Sequence, residues 1–183
     1  MTQRISLVLA VDLDHTLIDT DMIYMGLKYL VLHKIYLLPL LIIILLFRGK
    51  PSSKKYLYEN TSISIKDLPY NNSIINFINK NREKYSHVIL ISGSYYKYVE
   101  SIADYLDIFD SFKGTSLAVN MISSNKTIYL KNNFNNFVFD YIGDSKKDIP
   151  IWEESRKAFV VDRKNITKYL KNIDYEIIPH SDQ

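Results

Sequence analysis

A doubly wound parallel α/β sheet carrying a small helical cap is the architecture this sequence predicts, and three observations predict it. Short apolar, β-branched runs alternate with helical stretches along most of the chain. The most apolar of those runs end on carboxylates, hydroxyls and glycines, the residues expected where ligands bind beyond the carboxyl ends of parallel strands. One long, strongly apolar segment interrupts the alternation after the first run, as an inserted cap does. The boundaries that follow are 1–20 and 71–183 for the sheet core and 21–70 for the cap.

The alternation places strands near 5–12, 86–92, 115–119, 137–142 and 158–162. Helices are expected near 72–84, 94–105, 145–155 and 163–171, with a frayed tail at 180–183. A chain of 183 residues, 47% hydrophobic, is long enough for one buried core. It contains no Cys, which excludes disulfides, zinc thiolates and thiol catalysis. The net charge of +3 is too mild to imply a nucleic-acid partner, and four scattered His suggest no zinc site. The apolar start is short and runs straight into Asp12, so no secretory signal is expected.

The first run, Ile5 to Val11, opens onto Asp12-Leu13-Asp14-His15-Thr16. Residues i and i+2 of an extended segment share a face, so Asp12 and Asp14 can approach one site. Two carboxylates leaving a buried strand are costly without a cation or a shared proton. The pair therefore calls for a metal, an acid/base couple or both, although an Asp in this place can also simply cap the next helix. A second run, His87 to Ile91, ends on Ser92-Gly93-Ser94. A helix expected from Ser94 would offer free N–H groups and a positive dipole end to an anion, with the Ser92 hydroxyl beside it. Either serine can alternatively serve as a helix cap. A third run, Phe137 to Ile142, leads into Gly143-Asp144-Ser145-Lys146-Lys147-Asp148. Asp144 and Asp148 are four apart, so on a helical turn they point the same way and repel unless a cation sits between them. Between these runs, Asn120 to Thr127 reads as a loop entering a short helix. Lys126 on it could neutralise a phosphate, or be one more solvated surface lysine.

Together these residues resemble the four motifs of the haloacid-dehalogenase-like phosphohydrolase superfamily. Asp12-x-Asp14-x-Thr16 resembles the first, Ser92 the second, Lys126 the third and Gly143-Asp144-x-x-x-Asp148 the fourth. The resemblance covers roughly residues 8–162 and implies a Rossmann-like hydrolase core. It implies that Asp12 is the nucleophile that forms an aspartyl-phosphate, and that Asp14 is the acid and then the base. It implies Mg²⁺ held by the Asp12 carboxylate, the Asp14 backbone carbonyl and Asp144. Ser92, Gly93 and Lys126 would bind the phosphoryl group. Asp148 would orient Lys126 or a metal-bound water, and Thr16 and Gly143 would support the loops. Two departures stand out. His15 occupies a place where many relatives carry Gly. The residues before Lys126 are Ile122 and Ser123 where the nearest subgroup has Lys and Gly, which leaves Lys113 and Lys131 as alternatives.

The inserted segment contains Ile35 to Phe47, 13 uncharged and mostly apolar residues. That is short of the roughly 20 a spanning helix needs. Lys28, His33 and Lys34 lie before it, Arg48 and Lys50 follow, and Pro39 is expected to kink it. Two readings stand side by side: cap helices packed on each other, or an interfacial helix with basic flanks and tyrosines at the headgroups. The stretch from Asp21 through Arg48-Gly49-Lys50 to Leu68-Pro69-Tyr70-Asn71 resembles the phosphatase domain associated with polyprenyl-transferases. That resemblance implies a lipid-linked phosphomonoester as substrate and a cytoplasmic protein at the inner face of a membrane. A small soluble, phosphoserine-like substrate and a catalytically idle binding protein of the same fold are the competing readings.

Overall fold

The computed structural model describes residues 6–134, 137–161 and 165–179. Among them, six strands form one sheet, in which every pairing is parallel. The strands are β1 (Ser6–Val11), β2 (His87–Tyr95), β3 (Ser111–Thr115), β4 (Phe137–Gly143), β5 (Lys157–Val160) and β6 (Tyr175–Ile177). Their order across the sheet is β3-β2-β1-β4-β5-β6, so the chain winds outward from β1 in one direction and then returns to its other side. This makes the β1/β4 junction the switch point, where a crevice opens beyond the strand ends.

The central strands are apolar on both faces, as a parallel sheet covered by helices requires. Leu9, Val11, Val88, Leu90 and Ile142 join one core, with Ile74 and Ile78 of α3 (Asn72–Asn81) and Val99 and Ile102 of α4 (Tyr96–Leu106). Val8, Ala10, Ile89, Ile91, Phe139 and Tyr141 join the other, with Leu130 of α5 (Ser124–Asn133) and Trp152 of α6 (Ile149–Trp152). Asp140 faces the first core and is fully buried. The Arg156 guanidinium donates to both of its oxygens, at 2.9 and 2.5 Å, and the Tyr85 hydroxyl at 2.8 Å.

Several boundaries differ from the sequence expectation. The third strand is Ser111–Thr115, not 115–119; Leu117 and Val119, which suggested a strand, are exposed. The real strand, Ser-Phe-Lys-Gly-Thr, is polar because it lies at the sheet's edge. β6, Tyr-Glu-Ile, has no apolar run, and the sequence pattern predicts no strand there. β2 runs on through Ser94 to Tyr95, so α4 starts two residues later than expected and Ser94 does not cap it. The expected helix at 145–155 is a 3₁₀ turn, Lys146–Asp148, followed by the short α6. Of the helix expected at 163–171, residues 163–164 lie outside the described residues and Ile166–Tyr169 forms a 3₁₀ turn. Ile5, Asp162 and the tail at 180–183 also lie outside them.

Between β1 and β2 the chain forms α1 (Met22–His33), a 3₁₀ turn at Ile35–Leu37 and α2 (Leu38–Asn60). Pro39 stands in the first turn of α2, where a missing N–H costs nothing, and does not kink it. The break falls instead at Gly49, with φ 76° and ψ −177°. A straight helix would separate Leu41 from Leu57 by roughly 24 Å. Both nonetheless pack with Leu30 in one small core, so the two halves of α2 fold back on each other. Gly26 lets α1 approach, because a Cβ there would lie only 3.4 Å from Leu57 Cδ2.

Candidate functional site

Asp12 follows β1 and Asp144 follows β4, so the parallel register brings both to the same sheet edge; Asp12 N still donates to Ile142 O at 3.0 Å. Carboxylate oxygens of Asp12, Asp144 and Asp148 lie within 4.8 Å of one another, and all three residues are buried. Asp148 reaches this cluster through a capping box: its Oδ2 accepts from Ser145 N at 3.1 Å and from Ser145 Oγ at 2.9 Å. Its Oδ1 accepts from the Tyr141 hydroxyl at 2.7 Å.

Lys126, in the first turn of α5, reaches the same place. Its Nζ lies 2.8 Å from Asp12 Oδ1, 2.6 Å from the Tyr141 hydroxyl and 3.4 Å from Asp148 Oδ1. The two alternative lysines lie elsewhere: Lys113 sits over the Tyr129 ring and Lys131 pairs with Glu154 on the surface. Burial works to discharge Lys126, but Asp12 and Asp148 outweigh it and hold the ammonium above its usual range. Burial raises Asp12, and Asp148 and Asp14 raise it further, against the pull of Lys126. The two partners thus pull opposite ways, one toward neutral acid and one toward ammonium. The ammonium, contacted by Asp12 and Asp148 together, is the charged member of this set, and its attraction draws Asp12 toward the carboxylate form. One ammonium then stands among three buried carboxylates. That excess of hard oxygen charge fits a divalent cation such as Mg²⁺.

Asp14 points away from this cluster. Its Oδ2 accepts from Ser94 Oγ at 2.7 Å and Ser92 Oγ at 3.2 Å, and its Oδ1 from Met22 N at 2.9 Å. Burial raises its pKa, with Asp21 adding to the shift. The backbone N–H of the cap's first helix therefore rests on a candidate catalytic carboxylate. Ser92 is fully buried, and its Oγ also accepts from Ser94 N at 2.9 Å. Gly93 allows the 121–122 loop to close over the strand end, because a Cβ there would lie 2.7 Å from Ile122 Cγ2. His15 adopts φ 60°, a conformation that costs an L-residue something and glycine nothing, which explains the preference for Gly at this place. The Thr16 hydroxyl is buried with no hydrogen-bond partner among the described residues; the loop is tied instead by Asn71 Nδ2 donating to Thr16 O at 3.2 Å.

Three residues of the site gave no clear signal in the sequence. Tyr141 is spaced like a core residue of β4. Ser94 read as a helix cap. Lys54, on the cap helix α2, donates to Gly93 O at 2.6 Å and Asn120 Oδ1 at 2.7 Å. A cavity of about 450 Å³ joins Asp12, Asp14, Lys54, Lys126, Asp144 and Lys147.

The fold is the one seen in solved structures of haloacid-dehalogenase-like hydrolases. One structure of that family, a hydrolase from Salmonella enterica serovar Typhi, matches with TM-score 0.62 and 13% identity, over 97% of this chain and 69% of that one. A phosphoserine phosphatase in apo form matches with TM-score 0.64 and 16% identity, over 96% and 94%. A protein of unknown function from Bordetella pertussis Tohama I matches with TM-score 0.73 and 10% identity, over 96% and 99%. No family model matches the chain. In sequence, the chain is 32% identical over 150 residues to the uncharacterized protein y4nM of Sinorhizobium fredii. The match covers 82% of this chain but only 29% of that relative's length.

Proposed function

We propose that this chain is a Mg²⁺-dependent phosphomonoester phosphatase that works through an aspartyl-phosphate. The observation that carries this is Lys126 bridging Asp12 and Asp148 beside Asp144, a charge pattern that suits a phosphoryl group and a cation together. Asp12 attacks phosphorus and the bond to the leaving alkoxide breaks. Asp14, whose carboxyl burial shifts upward, supplies the proton to that alkoxide. Asp14 then takes a proton from the water that cleaves the acyl phosphate and restores Asp12. Lys126 binds a phosphoryl oxygen, and the hydroxyls of Ser92 and Ser94 bind one by turning from Asp14, their acceptor in this structure. Asp12 and Asp144 would hold the cation. The oxygens of Asp148 are already committed to Ser145, Tyr141 and Lys126, so it orients rather than ligates. Bound Mg²⁺ shields the incoming carboxylate from the charge of the phosphate.

The test is hydrolysis of phenyl phosphate with Mg²⁺ and with EDTA. Wild type should turn over only with the metal, and Asp12→Asn should lose about 10³-fold or more, as removal of a covalent nucleophile does. Equal rates for wild type and Asp12→Asn would sink the reading.

The substrate we propose carries a lipid or another apolar group, and the cap touches the membrane surface from the cytoplasmic side. Two facts support this. Within 35–47 only Leu41 is buried, while Leu46 and Phe47 are 73% and 82% exposed. No Asp or Glu stands between Asp21 and Glu59, whereas Lys28, Lys34, Arg48, Lys50, Lys54 and Lys55 do. Ile35–Asn60 contains an 18-residue stretch apolar enough to cross a membrane, with mean hydropathy 1.6. The break at Gly49, however, leaves a first half of only about 16 Å, too short for a hydrocarbon core of about 30 Å. Such a helix lies in the interface, held by apolar burial and by basic residues facing anionic lipid. A screen of polyprenyl-linked phosphates against soluble phosphorylated metabolites checks the substrate; preference for a phosphoserine-like metabolite would replace this reading.

A further inference from the structure

Lys54 is an ammonium without a counter-ion. It is buried, 8% exposed, and among the described residues it makes no ion pair within 4.0 Å. Its acceptors are neutral: Gly93 O, Asn120 Oδ1 and, at 3.5 Å, Thr115 Oγ1. The last contact is at the limit of a hydrogen bond, so one N–H keeps its capacity for a further acceptor. A buried charge is costly unless an opposite charge meets it. Burial pulls its pKa down to about 8, and Lys50 and Lys147 pull the same way against Asp14 and Asp21. Positive charge from the cap and from the loop after β4 therefore converges on the mouth of the cavity. Lys54 lies beside Gly93, on the cap side of the strand end, and Lys126 serves the Asp12 side. If Lys54 only fastened the cap to β2 and β3, a neutral amide would do so without that cost.

We propose that Lys54 is a specificity-determining residue whose ammonium receives a second anionic group of the substrate, so that the preferred phosphomonoester carries a further phosphate or carboxylate. This rests on the phosphatase reading above. The reacting phosphoryl group meets Asp12 and Lys126, while the second oxyanion meets Lys54, with Lys147 at the rim.

Three substrates with one leaving-group skeleton test it: phenyl phosphate, 4-carboxyphenyl phosphate and 4-(phosphonomethyl)phenyl phosphate, each with Mg²⁺. The phosphonate cannot be hydrolysed, so one bond is followed throughout, and the two anionic members separate carboxylate from phosphate-like recognition. Wild type should favour at least one anionic member in kcat/KM by about tenfold, the scale of one charge-assisted bond. Lys54→Met should bring that ratio close to one. A wild-type ratio of one overturns the proposal, as does a ratio that survives in folded Lys54→Met. Equal loss on all three substrates means that Lys54 serves the transferred phosphate or the cap's position, and also overturns it. Should Lys54→Met fail to fold, the exposed Lys147→Glu decides: the ratio should fall several-fold, and an unchanged ratio overturns the proposal. No turnover of phenyl phosphate by wild type is a different failure, that of the phosphatase reading itself.

Discussion

Asp148 does more positioning than any other residue in the site, and a glycine makes room for it. A Cβ at Gly143 would meet Tyr141 Cε1 at 2.8 Å and the Asp148 carboxylate at 3.0 Å. Neither neighbour can yield freely, since Tyr141 is fully buried and Asp148 is held by Ser145. Gly143→Ala should therefore displace Asp148 and, through it, Lys126. A shift of about 1 Å in such a group can cost on the order of 10²-fold in rate. Comparison of kcat on phenyl phosphate with the melting temperature checks this; a full rate in a folded variant would refute it. Asp12, Asp14, Ser92, Lys126, Asp144 and Asp148 were all legible in the sequence, because each stands just beyond an apolar run or at a helix start. Tyr141 was not, because an aromatic residue in a buried strand reads as core whether or not its hydroxyl serves a charge cluster.

Among the elements, β3 and α4 show how little space the fold leaves. A Cβ at Gly114 would come within 2.5 Å of Tyr96 Cα and 2.9 Å of Tyr96 N, which are backbone atoms that cannot rotate away. Gly114→Ala should push α4 off the sheet and destabilise the protein by about 1–3 kcal/mol, the usual cost of overpacking. Urea denaturation measures it, and an unchanged midpoint would contradict the packing. The edge position of β3 also explains why its strand character was hidden. Central strands are buried on both faces and announce themselves as continuous apolar runs, whereas Ser111–Thr115 keeps Lys113 partly exposed. Likewise Pro39 is a helix breaker by residue type, yet its place in the first turn leaves α2 intact, and the break falls at Gly49, whose φ of 76° suits glycine.

At the scale of the whole molecule, the apolar cap faces outward and the charged site faces inward. Wild type should float with liposomes containing anionic lipid and bind less as salt rises. The double variant Leu46→Glu, Phe47→Glu should stay at the bottom of the gradient. Both side chains are open to solvent, so its stability should remain within about 0.5 kcal/mol of wild type. Wild type that fails to float with either neutral or anionic vesicles would remove lipid contact from the proposal while leaving the chemistry at Asp12 untouched.

The sequence by itself determined the parallel α/β architecture and the carboxylates that gather at its edge, because apolar periodicity and strand-end placement are local properties of the chain. It also revealed that 35–47 is apolar, but not where that surface goes. Only the tertiary structure decided that Leu41 alone of that stretch is buried, that α2 folds back at Gly49, and that Lys54 reaches Gly93 from 39 residues away. Those outcomes depend on which distant groups meet, and a contact between distant groups leaves no period in the sequence to read.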